Sequence, residues 1–232
     1  MTSLLWLLGC PHPTPVPFAG SRLVEDELTI AVVDVRDGSP SGLVAEVAAG
    51  SPDLVVVTGG DRLTDWARWA AIAPLVGLPR DGEDPRKHAE RFEGIGRPGI
   101  PGPYGLVDLE SAGQAWRMLY LVGASGDVGD EQGYWLPGAL VGVPLLVVSD
   151  AGGLREEPVI ETHTLPLELA VWVAPSDRPL FPNGPYGPMH LQSVPDAVRW
   201  VVLDGHTVHV RWIEDGRLVR YRRNRMGWKP GD

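Results

Sequence analysis

Two short apolar runs, Leu28 to Asp34 and Leu54 to Thr58, constrain this chain more than any other feature. Both are rich in β-branched residues and are not broken by alternating polar ones, which is the pattern of strands covered on both faces. Between them, Ser41 to Ala49 predicts a short helix, with Leu43, Val44 and Val47 on one face and Gly50 closing it. Two buried strands joined through one helix need a crossover, so the unit predicts parallel neighbours in a sheet. The first run ends in Asp34-Val35-Arg36-Asp37-Gly38. The second follows Pro52-Asp53 and leads into Gly59-Gly60-Asp61. Asp34 and Asp61 are therefore expected at the ends of adjacent strands on one sheet edge.

The segment Thr64 to Val76 predicts a helix, with Trp66, Trp69, Ala70 and Ala73 at helical spacing. These tryptophans read as packing residues, since a stacking platform for nucleic acid would interleave them with basic side chains. Leu78 to Pro103 is charged, then studded with Gly and Pro, and reads as a long functional loop or an insertion. From Tyr104 the pattern changes to strands: Tyr104 to Leu109, Trp116 to Gly123, Pro144 to Ser149, Val171 to Ala174, Ala197 to Leu203, Thr207 to Trp212 and Arg217 to Tyr221. A short helix at Glu131 to Leu140 interrupts them. Asp204-Gly205 and Asp215-Gly216 predict hairpin turns. No repeat or linker divides the chain, so residues 1–232 read as one α/β (α+β) domain that closes on a hairpin region at about 197–222.

At 232 residues and 44% hydrophobic content, the chain has enough apolar surface to bury a core of its own. Its formal charge of −10 argues against a nucleic-acid partner, which would need a concentrated basic surface. The exception lies from Arg217 onward, where five Arg and one Lys face a single Asp; this reads as the solvated face of a hairpin. The lone cysteine, Cys10, excludes an internal disulfide framework and points to a reducing, cytoplasmic setting. Leu4-Leu5-Trp6-Leu7-Leu8-Gly9-Cys10 mimics a lipoprotein cleavage box, but it lacks a basic flank and reads as a buried strand. No apolar run approaches the roughly 20 residues of a bilayer crossing, so no membrane partner is expected.

The two apolar runs with their flanks, together with Glu131-Gln132 and Trp135-Leu136, resemble the calcineurin-like metallophosphoesterase superfamily over roughly Leu28 to Tyr221. The resemblance implies a two-sheet β sandwich flanked by helices, with a site that normally holds two metal ions. Where that family has Asp-x-His, this chain has Asp34-Val35-Arg36. Pro52-Asp53-Leu54-Val55 and Gly59-Gly60-Asp61 stand for its Pro-Asp-Leu-Val and Gly-Asp, with one extra glycine. Asp81-Gly82-Glu83-Asp84 stands in the place of Gly-Asn-His-Asp/Glu. The later histidine positions fall at Ser149-Asp150 and near Pro175-Ser176-Asp177-Arg178. By resemblance, then, the site residues are Asp34, Arg36, Asp61, Glu83, Asp84, Asp150, Asp177 and Arg178, and no imidazole is left among them.

A paired transition-metal centre needs several deprotonated ligands, many of them imidazoles, so losing all of them at once should abolish it. The remaining carboxylates could hold Mg²⁺ or Ca²⁺ through oxygen alone, or could simply terminate strands in solvated loops. The histidines do not restore a site. His206 and His209 stand three apart near a predicted strand and so point to opposite faces, and His88 and His163 fall in loop-like segments. His12, after Cys10-Pro11, offers a weaker alternative register for the first family strand. An exonuclease-endonuclease-phosphatase fold competes through Pro144-Leu-Leu-Val-Val-Ser149-Asp150, but the terminal hairpins favour the first resemblance.

Three functions stay open. The first and preferred one is a scaffold without metal or other cofactor that binds or transforms a small-molecule ligand with carboxylates, Arg36 and Arg178. The second is an oxygen-ligand metal-dependent phosphoesterase. The third is a non-catalytic subunit docked through tryptophans. Homo-oligomerisation also stays open.

Overall fold

The computed structural model describes residues 23–35, 41–58, 63–78, 84, 87, 104–121, 131–132, 134–135, 145–149, 171–174, 189–192, 196–214, 217–224 and 227–230. In chain order the elements are β1 (Leu23–Glu25), β2 (Glu27–Asp34), α1 (Ser41–Gly50), β3 (Leu54–Thr58), α2 (Leu63–Ala70) and β4 (Leu75–Leu78). There follow β5 (Gly105–Ser111), β6 (Gln114–Leu121), β7 (Leu145–Ser149), β8 (Val171–Ala174) and β9 (Met189–Gln192). The chain closes with β10 (Ala197–Asp204), β11 (Thr207–Glu214), β12 (Arg217–Asn224) and β13 (Gly227–Pro230).

These strands form two mixed sheets, one ordered β1-β5-β6-β7-β8-β9 and the other β13-β12-β11-β10-β2-β3-β4. The expected crossover is present: β2 and β3 are parallel neighbours joined through α1, with Asp34 opposite Thr58, and β4 extends the parallel set. In the other sheet β6, β7, β8 and β9 are mutually parallel. Strand alternation then divides the apolar residues between two cores. Ile30, Val32, Val56 and Val201 pack against Val107, Leu109, Trp116 and Met118 of the facing sheet. Ala31, Val33, Val55 and Val57 point the other way, beneath Val47, Trp66 and Trp69 of the two helices. The molecule is thus a mixed α/β arrangement with the two sheets face to face and α1 and α2 on the outer side of one of them. Among the described residues, no helix is long and apolar enough to cross a membrane.

The structure corrects the helix expected over Thr64 to Val76, which ends at Ala70 and gives way to β4. Pro74 explains the break, because it disfavours helical backbone at Ala73 and supplies no N–H. Its carbonyl accepts from Val55 N at 2.9 Å, starting the β3–β4 ladder, and Val76 enters the core between the sheets. Strands β1, β9 and β13 were not foreseen. Each is three or four residues long, too short to display a period, and each lies at the edge of its sheet. Pro230 on β13 fits such an edge.

Polar contacts pin one end of the sandwich. Ala112 and Gly113, with φ of 45° and 78°, form the two-residue turn between β5 and β6, both in the left-handed region that such hairpins require. Beside that turn the buried Ser111 hydroxyl donates to Leu203 O at 2.7 Å, with Asp26 O at 3.0 Å, and accepts from Gly205 N at 3.1 Å. Trp116 Nε1 donates to Gly205 O at 2.9 Å. These bonds hold the starts of β2 and β6 at the same end, so the parallel strands of both sheets finish together at the opposite end.

Candidate functional site

That opposite end gathers the last residues of β2, β3, β4, β6, β7, β8 and β9: Asp34, Thr58, Leu78, Leu121, Ser149, Ala174 and Gln192. In open parallel sheets, ligands bind outside the carboxyl ends of the strands. Of the site residues inferred from the sequence, Asp34 is itself the last residue of β2.

Asp34 closes β2 and is only 3% exposed. It shares its face with Val32, so its carboxylate belongs to the side that looks between the sheets. Asp34 O accepts from Asp196 N at 2.8 Å, and Asp196 turns into β10 with φ of 54°, a left-handed geometry that Asp tolerates better than most residues. Ala197 stands opposite Asp34, and Arg199 stands opposite Val32. Arg199 is therefore the diagonal neighbour of Asp34 on the same face, at a Cβ separation of about 7–8 Å that a long side chain can span. It is 4% exposed, a buried guanidinium two residues from the strand end. The sequence reading missed Arg199, although the signal was present: a lone charge in phase with Val201 and Leu203 on an otherwise apolar face.

Across the sandwich, Tyr120 lies one residue before the end of β6 and is buried in the shared core. It stands opposite Gly105, and a Cβ on that glycine would overlap the Tyr120 ring. Burial pushes the phenol far above its ordinary value, so it remains a neutral donor in the folded state. In the unfolded chain it ionises near pH 10. Above that pH the unfolded state binds fewer protons than the native one, and stability must fall with pH. We expect an added loss of about 1.4 kcal/mol per pH unit above pH 10 that Tyr120→Phe removes; equal slopes for the two proteins in alkaline denaturation would contradict it.

Helical residues 131, 132, 134 and 135 lie by the same region. Gln132 is 2% exposed, and Trp135 packs half-buried against the shared core with its ring 5.2 Å from that of Tyr104 at 50°. Trp135 thus packs on the sandwich only half-buried; Leu136 lies outside the described residues.

Of the eight inferred site residues, the described ones are Asp34 and Asp84. Asp84 is exposed; its carboxylate accepts from Lys87 N at 3.4 Å and meets Lys87 Nζ at 4.0 Å. It reads as a loop residue on this geometry. Arg36, Asp61, Glu83, Asp150, Asp177 and Arg178 lie outside the described residues, as do His12, His88, His163 and the Asp215-Gly216 turn. Asp34 and the end of β3, three residues before Asp61, do share one sheet edge. Among the described residues, no group of three or more His, Cys, Asp or Glu is placed to hold a metal ion. His206 sits exposed in the β10–β11 turn, and His209 is half-buried on β11.

Compared with protein-family models and with curated proteins, the chain gives no match.

Proposed function

We propose that this chain is a divergent phosphoesterase-like protein that has lost the binuclear metal site and binds or transforms a small molecule where its parallel strands end. The observation that carries this reading is the buried Asp34 carboxylate. It terminates the first strand of a parallel pair, faces the space between two sheets, and has the buried Arg199 as its diagonal neighbour. Burying both a carboxylate and a guanidinium beside an apolar core is costly unless each is satisfied, so a fold that keeps both at a strand edge has a use for them. The replacements at Arg36, Glu83, Ser149-Asp150 and Asp177-Arg178 exchange imidazoles for groups that cannot together make a transition-metal pair. Chemistry there would run on a carboxylate as acid or base, with arginine stabilising developing negative charge.

The test begins with a thermal-shift panel of small organic anions and phosphate monoesters, followed by calorimetry on the best binder. Asp34→Asn and Arg36→Ala should each weaken binding about 10- to 100-fold, the value of a hydrogen bond to a charged group, and EDTA should leave binding unchanged. Binding indifferent to both substitutions would place the ligand elsewhere and defeat the proposal.

A further inference from the structure

We infer that the outer face of β11 and β12 docks a second copy of this chain through that copy's acidic corner. Leu218, Arg220 and Arg222 alternate along β12 and so share one face, and all three are exposed. Arg211, also exposed, is the direct cross-strand partner of Arg220, and Lys229 is the register partner of Arg222. Arg211 also stands opposite Trp200, its guanidinium 5.4 Å from the ring centroid. Trp200 packs against the core beneath the helices, which fixes this as the helix side of the sheet. Helices α1 and α2 cover its β2–β4 part, and the arginines occupy the part beside them.

Like charges placed directly opposite each other in a sheet are destabilising. Arg211 and Arg220 form such a pair on this face, in a chain whose net charge is −10. The chain also carries the complement. Glu25, Asp26 and Glu27 are consecutive and exposed, and exposed Asp204 is the direct register partner of Glu27, a like-charge pair of the opposite sign. This acidic corner lies at the end pinned by Ser111, away from the candidate site. Each patch is flanked by an aliphatic side chain open to water, Leu218 at 52% and Val24 at 55%. Docking the two patches between copies would relieve both internal repulsions and cover both side chains. A long phosphate polymer fits less well, because the net negative charge repels it at a distance and it has nothing to bury against Leu218.

Sedimentation velocity of the full chain tests this at about 0.01 M and 1 M salt, where screening lengths are about 30 Å and 3 Å. We expect self-association at low salt that weakens at least about tenfold at high salt. Arg222→Glu and Asp204→Lys should each weaken it about tenfold or more alone, and their equimolar mixture should restore a heteromer of wild-type affinity. Circular dichroism checks folding, and Arg222→Gln supplies a milder variant that should lie between wild type and Arg222→Glu. A wild-type monomer at low salt would overturn the inference, as would association indifferent to both reversals or a mixture that fails to associate. Retention of a monomeric wild type on single-stranded DNA, lost in Arg222→Glu, would give the face to a phosphate polymer and overturn it too.

Discussion

Replacing Trp116 with alanine is expected to remove about 3–5 kcal/mol of unfolding stability, out of a total of about 5–15 kcal/mol for a domain. The indole is 2% exposed in the core shared by both sheets, so truncation opens a cavity that neither sheet can close without moving the other. The same change removes the Nε1 bond to Gly205 O, leaving the Ser111 bonds to hold the β10–β11 turn against the β5–β6 hairpin. Urea denaturation measures the loss as a lower midpoint. Trp116→Phe should recover most of the packing but not the hydrogen bond, which is worth about 1 kcal/mol. A loss under about 1 kcal/mol for the alanine variant would mean that the sheets do not share this core.

The second large effect is expected at Gly105, where alanine should cost about 1–3 kcal/mol by overpacking. Glycine in a strand normally weakens it, and substitution there would ordinarily help. Here the Tyr120 ring lies over the glycine and occupies the space that a Cβ would need. Tyr120 is 2% exposed, so it has nowhere to go without disturbing the core at the candidate site. The double variant Gly105→Ala/Tyr120→Leu should lose less than the sum of the single changes, because removing the ring removes the clash. Simple additivity in thermal unfolding would contradict this contact.

Much of this architecture was legible because the strongest elements carry their own period. Leu28 to Asp34, Ser41 to Ala49 and Leu54 to Thr58 match β2, α1 and β3 to within a residue, and their parallel pairing follows from the crossover. The failures have physical causes. Ala70 to Val76 continues a helical pattern in its side chains, while Pro74 breaks it in the backbone, and the backbone prevails. Edge strand β1 gains its order from β5, distant in sequence, while β9 and β13 are four-residue strands too short to show a period. At the candidate site, the placement of Asp34 was legible because it ends an apolar run. Arg199 and Tyr120 were not, since their importance comes from register: Arg199 matters because Val32 stands opposite it beside Asp34, and Tyr120 because Gly105 leaves room for its ring. The basic C-terminal run reads as a solvated face and Arg220 and Arg222 are exposed, but a linear sequence does not show that Arg211 and Arg220 are opposed.

The measurement closest to the central claim is the metal content of the purified full chain, taken with phosphodiesterase activity before and after EDTA. The proposed absence of a binuclear centre predicts no stoichiometric Mn, Fe or Zn, and no stability or ligand binding that EDTA removes. Two equivalents of such a metal per chain, with phosphodiesterase activity that EDTA abolishes, would show that the metal ligands lie elsewhere in the chain and that the binuclear centre was never lost.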